Sequence, residues 1–127
     1  MVVIPGTHRL LVDVVPGGAL KLEVDLWQHV QRESLQGPPL GLLILHPYGR
    51  LGGSFLDPIV SELFRAAAAH PAIGTVMRYN QRGVGRSGGR RSLLGAADDM
   101  GDALALCEYL AAQLPRGPLP GRLLVAG

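Results

Sequence analysis

Two glycine-rich stretches carry most of the residues in this sequence that could perform chemistry. Residues 46–54 read His-Pro-Tyr-Gly-Arg-Leu-Gly-Gly-Ser, and residues 78–88 read Arg-Tyr-Asn-Gln-Arg-Gly-Val-Gly-Arg-Ser-Gly. Histidine and serine are residue types of nucleophilic catalysis, and closely spaced glycines allow backbone N–H groups to surround an anion. The chemistry to consider is therefore acyl transfer by a serine or the binding of a phosphate.

The second stretch matches a dinucleotide-binding pattern. Gly83, Gly85 and Gly88 form Gly-x-Gly-x-x-Gly after a predicted strand. That pattern needs a helix whose N-terminus meets the pyrophosphate, and an acidic residue about 20 positions later at the end of a second strand. Here Gly-Arg-Arg follows at 89–91, and the acidic residue is Glu108, inside a predicted helix. A structured loop is favoured, and NAD(P) binding stays a third hypothesis that stabilisation by the cofactor would test.

The same stretch also matches the nucleophile elbow Gly-x-Ser-x-Gly, with Ser87 in the centre. An elbow needs a strand that runs directly into the first glycine and a helix directly after the serine. Residues 81–84 separate the strand from this motif, and glycines follow it. The hydrolase order also requires a histidine after the serine, whereas the four histidines all precede it: His8, His29, His46 and His70. Ser87 is therefore not the predicted nucleophile.

His46 is a candidate base or metal ligand. No second ligand stands at a useful spacing, so the sequence predicts no metal site. A histidine at the end of a strand more often forms a hydrogen bond with nearby backbone, and this is the favoured interpretation.

Arginines are concentrated in the second stretch and just after it. Within 14 residues and without an acidic residue stand Arg78, Arg82, Arg86, Arg90 and Arg91. Such a patch could bind phosphate or nucleic acid, but only Tyr79 could stack on a base. A solvated loop, paired in part with Asp98, Asp99 or Asp102, is favoured. The alternative function is a non-catalytic βαβ module that binds an anion or a protein partner through this loop, which salt-sensitive phosphate binding would support.

Composition limits the class of protein. The 127 residues are 47% hydrophobic and 17% charged, which indicates one folded domain over 1–127. A net charge of +2 is too small for a dedicated nucleic-acid binder, and the single cysteine, Cys107, excludes an internal disulfide. No stretch reaches the roughly 18 apolar residues of a membrane span, and no basic region precedes the apolar N-terminus. We expect a cytoplasmic protein without membrane or nucleic-acid partners.

The predicted elements alternate between strands and helices. Residues 8–15 and 20–26 predict a hairpin around the Pro-Gly-Gly at 16–18, and the strict alternation of 20–26 predicts one solvent-facing side. Residues 27–36 predict a loop. The continuous apolar run at 40–45 is typical of a strand buried on both faces, as in a parallel sheet.

Two amphipathic helices follow. Asp57 is the predicted N-cap of the first, with Pro58 in its first turn and a stop at residues 70–71. Its predicted apolar face is Leu56, Ile59, Val60, Leu63, Phe64 and Ala67. The second helix ends at Pro115, and its predicted apolar face is Leu93, Ala97, Met100, Leu104, Cys107, Ala111 and Leu114. Strands are predicted at 73–79 and 122–126, so the fold class is α/β: an antiparallel hairpin followed by βαβαβ with parallel strands.

At this point the sequence resembles a family. Residues 46–54, after an apolar strand, are similar to the oxyanion loop of the α/β-hydrolase superfamily. Residues 78–88 resemble the loop after the next strand in its dienelactone-hydrolase-like and serine-peptidase-like branch: Arg-aromatic-Asn, then Arg-Gly-x-Gly-x-Ser. Leu-Leu-Val-Ala-Gly at 123–127 resembles the strand that leads into the nucleophile elbow, with Gly127 as the first glycine of Gly-x-Ser-x-Gly. The resemblance covers residues 8–127.

The resemblance implies roles for single residues. Pro47 has no N–H, so the backbone N–H of Tyr48 is the expected oxyanion donor. Asp99 and Asp102 fall where relatives carry acids that face the Arg-Gly loop, and we predict an ion pair between Asp102 and Arg82 or Arg78. The residues expected to shape the loops are His46, Gly52, Gly53, Arg78, Asn80, Arg82, Gly83, Gly85, Ser87 and Asp102.

The resemblance also implies a function. Relatives are serine hydrolases that form an acyl-enzyme on an ester, thioester or amide, without metal or organic cofactor. They place the nucleophile two residues beyond the first glycine of the elbow, then the acid, then the histidine. We therefore expect the triad beyond residue 127 and an inactive N-terminal fragment. Its last strand would leave an apolar edge unpaired, so we expect marginal stability or self-association.

Overall fold

In the part of the chain that the structure describes, five strands form one mixed sheet with a helix on each side. The computed structural model describes residues 6–15, 17–29, 40–47, 53–90, 96–114 and 121–127. In chain order the elements are β1 (Thr7–Asp13), β2 (Lys21–Gln28), β3 (Leu40–Ile44), α1 (Pro58–Ala69), β4 (Ile73–Tyr79), α2 (Ala96–Gln113) and β5 (Arg122–Ala126).

The strand order in the sheet is β1-β2-β4-β3-β5. Strand β2 pairs antiparallel with β1 and β4, whereas β3 pairs parallel with β4 and β5. The predicted α/β class, with an N-terminal hairpin followed by βαβαβ, is confirmed.

Strand β3 lies in the middle of the parallel part and is buried on both faces. Leu42 and Ile44 belong to the cluster under α1, with Val60, Phe64 and Val76. Leu43 points to the opposite face, into the cluster under α2 that also contains Leu22, Val24, Leu26, Met77, Tyr79, Leu106 and Leu110. The unbroken apolar run thus supplies both cores, as its pattern predicts.

Strand β2 corrects the prediction of a solvent-facing side. Glu23 is 4% exposed and Asp25 is 2% exposed, because β2 is an inner strand with β1 and β4 beside it. The predicted loop at 27–36 is also wrong at its start, since Trp27 and Gln28 belong to β2 and Trp27 is buried. An alternating strand can therefore be buried on both faces when its polar side chains find partners.

Helix α1 begins where the sequence predicts. The Asp57 side chain accepts the backbone N–H groups of Ile59 and Val60, and Pro58 is the first helical residue. The predicted apolar face is only half correct: Val60, Phe64 and Ala67 are buried, but Ile59 is 77% exposed, and Leu56 and Leu63 are exposed as well. A single row at i, i+4 and i+7 contacts the sheet, and the neighbouring row does not.

The stripe predicted for α2 is also displaced. Met100, Leu104 and Ala111 are exposed, while the row that faces the sheet is Asp102, Leu106 and Leu110. The spacing of apolar residues alone could not identify the inward row, because that row includes the charged residue Asp102. Neither helix of the described segments is long and apolar enough to cross a membrane.

Candidate functional site

The three parallel strands end at the same edge of the sheet. β3 continues into Leu45 and His46, β4 into Asn80 and Gln81, and the N–H of Leu45 donates to the carbonyl of Ala126 at the end of β5 (2.8 Å). In open α/β sheets the carboxyl ends of parallel strands are where ligands and catalytic groups collect. This edge is the candidate site.

Gly127 lies against the start of the connection that follows β3. A Cβ atom at this position would stand 2.8 Å from Cβ of Leu45, an atom that cannot move without its backbone. The close approach therefore requires glycine at the position where the sequence analysis places the first glycine of an elbow.

His46 is buried, and both nitrogens of its ring contact backbone groups. Its Nε2 accepts the N–H of Gln81 at 2.9 Å, and Gln81 Nε2 donates to the carbonyl of His46 at 3.3 Å. An imidazole nitrogen that accepts carries no proton, so the ring is neutral and its proton lies on Nδ1, next to the carbonyl of Pro47. His46 ties the ends of β3 and β4 together, as favoured from the sequence. No group of three or more potential metal ligands occurs among the residues that the structure describes.

Ser87 is a bridge inside the second glycine-rich loop. Its Oγ donates to the carbonyl of Asn80 at 2.7 Å and accepts the N–H of Glu23 at 2.8 Å. The loop is closed by backbone hydrogen bonds and by the N–H of Gly88, which donates to the carbonyl of Lys21 at 2.8 Å. No helix follows within residues 81–90. The hydroxyl proton is thus directed at a carbonyl instead of a histidine.

Glu23 and Asn80 form a buried pair beneath this loop. Glu23 Oε1 accepts Asn80 Nδ2 and the backbone N–H of Arg86, each at 2.9 Å. On its other side Asn80 Oδ1 accepts the N–H of Phe55 at 2.8 Å. Gly85, with φ of +54°, packs so closely that a Cβ would lie 2.5 Å from Asn80 Nδ2. The second glycine of the motif therefore makes room for this pair.

A second buried acid, Asp25, holds two arginines over Phe55. Arg78 and Arg9 both donate to its carboxylate, and their guanidinium carbons lie 5.1 and 4.9 Å from the centre of the Phe55 ring. Arg78 also donates to the carbonyl of Phe55 at 2.9 Å and to Ser61 Oγ at 3.0 Å. These contacts fix the segment before α1 onto the sheet.

Arg82 fastens the loop to α2. Its Nε and Nη2 donate to the two carboxylate oxygens of Asp102 at 2.6 and 2.9 Å, and Asp98 lies 3.7 Å away. The predicted pair of Asp102 with Arg82 forms, whereas Arg78, the other candidate, pairs with Asp25.

Two groups beside this pair have raised pKa values. Burial, reinforced by the charge of Asp102, raises the pKa of the Tyr79 hydroxyl, so it stays protonated. Burial and the charge of Asp102 also raise the pKa of Asp99, and the opposing effect of Arg82 is smaller.

The sequence-predicted site residues are thus divided in the structure. Brought to the edge or directly beneath it are His46, Arg78, Asn80, Arg82, Gly83, Gly85, Ser87, Asp102 and Gly127, and Gly53 lies half-buried before α1. Tyr48 and Gly52, like Arg91 and Leu93, lie outside the described residues. Sequence reasoning missed Glu23 and Asp25. The strand that carries them was predicted to have a solvent-facing side, so no signal in the sequence marked these two acids as buried.

Solved structures resemble the chain. An α/β serine hydrolase without a lid from Xanthomonas campestris shares 26% sequence identity, with a TM-score of 0.71, over 99% of this chain and 52% of that one. An α/β serine hydrolase homologue from Coxiella burnetii shares 23% identity, with a TM-score of 0.62, over 98% and 53% of the two chains. A protein of unknown function from Agrobacterium tumefaciens shares 25% identity, with a TM-score of 0.67, over 85% and 44%.

No protein-family model and no curated protein matches the sequence. The relation therefore rests on the fold. The chain spans about half the length of the α/β serine hydrolases that it resembles, and its hairpin and parallel strands are consistent with the N-terminal portion of that fold.

Proposed function

We propose that this chain is the N-terminal half of a serine hydrolase that cleaves an ester, thioester or amide through an acyl-enzyme. The observation that carries the proposal is the match of 99% of the chain to 52% of an α/β serine hydrolase. The convergence of His46, Gln81 and Gly127 at the carboxyl edge supports it, because a catalytic serine placed just after β5 would stand at this edge.

In this proposal the connection after β3 binds the oxyanion. Pro47 has no N–H to give, which leaves the backbone N–H of Tyr48 as the first donor after His46. One such donor contributes about 3–4 kcal/mol to the transition state of acyl transfer. The neutral, backbone-bound His46 sets the start of that connection and takes no proton itself.

The nucleophile, acid and base are proposed to lie outside these 127 residues. Within the described segments, the two candidates that the motifs offer are both engaged elsewhere: Ser87 bridges Asn80 and Glu23, and His46 holds Gln81. No metal or organic cofactor takes part in the proposed reaction.

The experiment is hydrolysis of a p-nitrophenyl ester by the purified chain and by its Ser87→Ala variant. We expect neither protein to exceed the rate of buffer, and neither to be labelled by a fluorophosphonate. Turnover that disappears in Ser87→Ala would make Ser87 the nucleophile and would overturn the proposed division of labour. Turnover that survives in the variant would place a nucleophile elsewhere in these residues.

Two exposed arginine side chains favour a second function, the binding of an anion. Arg86 and Arg90 are exposed, and in the described part of the chain neither guanidinium has an ion-pair or hydrogen-bond partner. Since Asp25 and Asp102 hold Arg78 and Arg82, an anion could recruit only the remaining arginines of the loop. This alternative expects phosphate binding that weakens with added salt and is lost in the double variant Arg86→Ala, Arg90→Ala.

A further inference from the structure

We propose that Asn80, oriented by Glu23, is a positioning residue that fixes Phe55, at the described far end of the connection after β3, from the end of β4. The connection begins at His46 and reaches the described segment again at Gly53, two residues before Phe55. This role deepens the proposed function and rests on it, because it concerns the connection to which the oxyanion donor is assigned.

The first observation is the direction of the Asn80 amide. Oε1 of Glu23 accepts the backbone N–H of Arg86, a group that can only donate, so Glu23 is the acceptor and Asn80 the donor in their contact. The Nδ2 group must therefore face Glu23, and Oδ1 is left to accept the N–H of Phe55. Asn80 is 1% exposed and Glu23 is 4% exposed, so water does not compete for either group. The carboxylate thus selects the one amide orientation that captures Phe55.

The second observation is that neighbouring residues capture both described ends of the connection. The side chain of Asn80 accepts from Phe55, and the next backbone N–H, that of Gln81, donates to His46. Two residues earlier, Arg78 donates to the carbonyl of Phe55. The end of β4 therefore determines the separation of His46 from Phe55.

The third observation assigns a purpose to the glycine-rich motif. Ser87 Oγ binds the carbonyl of Asn80 and the N–H of Glu23, while the N–H of Arg86 binds the Glu23 carboxylate. Gly85 allows this close approach. The loop thus closes over the Asn80–Glu23 pair and holds it in place. It needs neither a phosphate nor a nucleophile to account for Gly85 and Ser87.

The test is residue-resolved hydrogen exchange of two variants with crossed effects. Asn80→Ala removes the acceptor of the Phe55 N–H, whereas Ser87→Ala removes the acceptor of the N–H of Glu23 on β2. Relative to the amides of β3, we expect exchange of Phe55 to accelerate by about tenfold or more in Asn80→Ala and by clearly less in Ser87→Ala, in which Glu23 is the amide that accelerates most. Equal acceleration of Phe55 in both variants would reduce Asn80 to a general stabilising residue and overturn the proposal.

A rescue experiment covers the case in which Asn80→Ala does not fold. Asn80→Asp places two carboxylates together and should loosen Phe55. Adding Glu23→Gln lets an amide N–H at the position of Oε1 donate to the carboxylate introduced by Asn80→Asp, at the loss of the acceptor for the N–H of Arg86. Phe55 protection should then return to within a few-fold of the original.

A double variant that protects Phe55 no better than Asn80→Asp would contradict the role of Glu23. Because exchange is measured without substrate, either result stands apart from the outcome of the ester assay.

Discussion

Three buried carboxylates, those of Glu23, Asp25 and Asp102, hold the loops of this chain in place, and each has its own hydrogen-bond donors. Glu23 accepts hydrogen bonds from Asn80 and from the backbone of Arg86. Asp25 forms ion pairs with Arg9 and Arg78, and Asp102 forms one with Arg82. A buried carboxylate is costly unless its oxygens are satisfied, so these acids are tolerated only because the loops bring donors to them. The same contacts that offset their burial fix the loops at the carboxyl edge.

Asp102→Ala is expected to lower the stability of the chain by about 1–3 kcal/mol, because Arg82 would lose both of its hydrogen-bonded oxygens in a partly buried position. Urea denaturation measures the effect. The control is Glu62→Ala, which removes a surface-exposed partner of Arg65 and should change stability by less than about 0.5 kcal/mol. An unchanged midpoint for Asp102→Ala would show that the pair does not hold the loop.

The raised pKa of Asp99 predicts that the stability of the chain depends on pH. Because burial and Asp102 raise its pKa above the ordinary value of 3.8, the folded state holds the proton more tightly than the unfolded state does. The stabilisation by the protonated group is complete below 3.8 and is lost as pH rises through the folded pKa. Asp99→Asn should therefore raise the melting temperature at pH 7 and leave it unchanged at pH 3, where the native carboxyl is neutral too.

The neighbouring variant Asp98→Asn provides the comparison for Asp99. It weakens the contact of Asp98 with Arg82 and should not raise the melting temperature at pH 7. A gain at pH 3 as large as that at pH 7 for Asp99→Asn would exclude ionisation as the cause.

At the scale of elements, local signals located the strands and helices well. Strand β4 occupies the predicted residues 73–79, and α1 begins at Pro58 after its predicted cap. These signals are local: a run of apolar residues, a capping acid and a proline. The inward faces of α1 and α2 depend on which neighbours cover them, and there the predictions for Ile59 and Met100 were wrong.

The candidate site was predictable in part for the same reason. The motif at 78–88 marks its own loop, and the charge of Arg82 demands an acid within reach along the next helix. The burial of Glu23 and Asp25 could not be predicted, because alternation on β2 is equally typical of an exposed strand, and their partners Asn80 and Arg78 are more than 50 positions away.

Gly85→Ala tests the close packing of the loop on the Asn80–Glu23 pair. A methyl group would stand 2.5 Å from Asn80 Nδ2 and 2.8 Å from Glu23 Oε1, in a backbone conformation with φ of +54°. Gly17→Ala is the matched control, since it shares the positive φ, at +86°, but has nothing within 4 Å of its new Cβ. We expect Gly85→Ala to lower stability by at least about 1–2 kcal/mol more than Gly17→Ala. If thermal denaturation shows equal losses of stability in the two variants, the cost at Gly85 comes from its backbone conformation alone and not from close packing.

At the scale of the whole molecule, the two edges of the described sheet differ. On β1, the charged residues Arg9 and Asp13 lie on either side of the exposed Leu10 and Leu11. On β5 the residues after Arg122 are all apolar, and Leu124 and Val125 are 50% and 55% exposed. Charged residues on an edge strand discourage pairing with another chain, so β5 is the less protected edge.

We therefore expect the isolated chain to self-associate through β5. Val125→Lys should shift the sedimentation profile toward monomer, because a charge on the edge opposes pairing with a second strand. Ile59→Lys places the same charge on an exposed position of α1 and should leave association unchanged. A monomeric parent chain with a sharp cooperative melt would contradict this expectation, as would equal effects of the two variants.

If these residues are the N-terminal half of a serine hydrolase, as we propose, the nucleophile elbow follows directly after β5. The most direct measurement is to sequence the transcript past the codon for Gly127. We expect the transcript to continue as any residue, Ser, any residue, Gly, with an Asp and then a His further on. A stop codon directly after Gly127 would contradict the claim and would favour the anion- or partner-binding alternative.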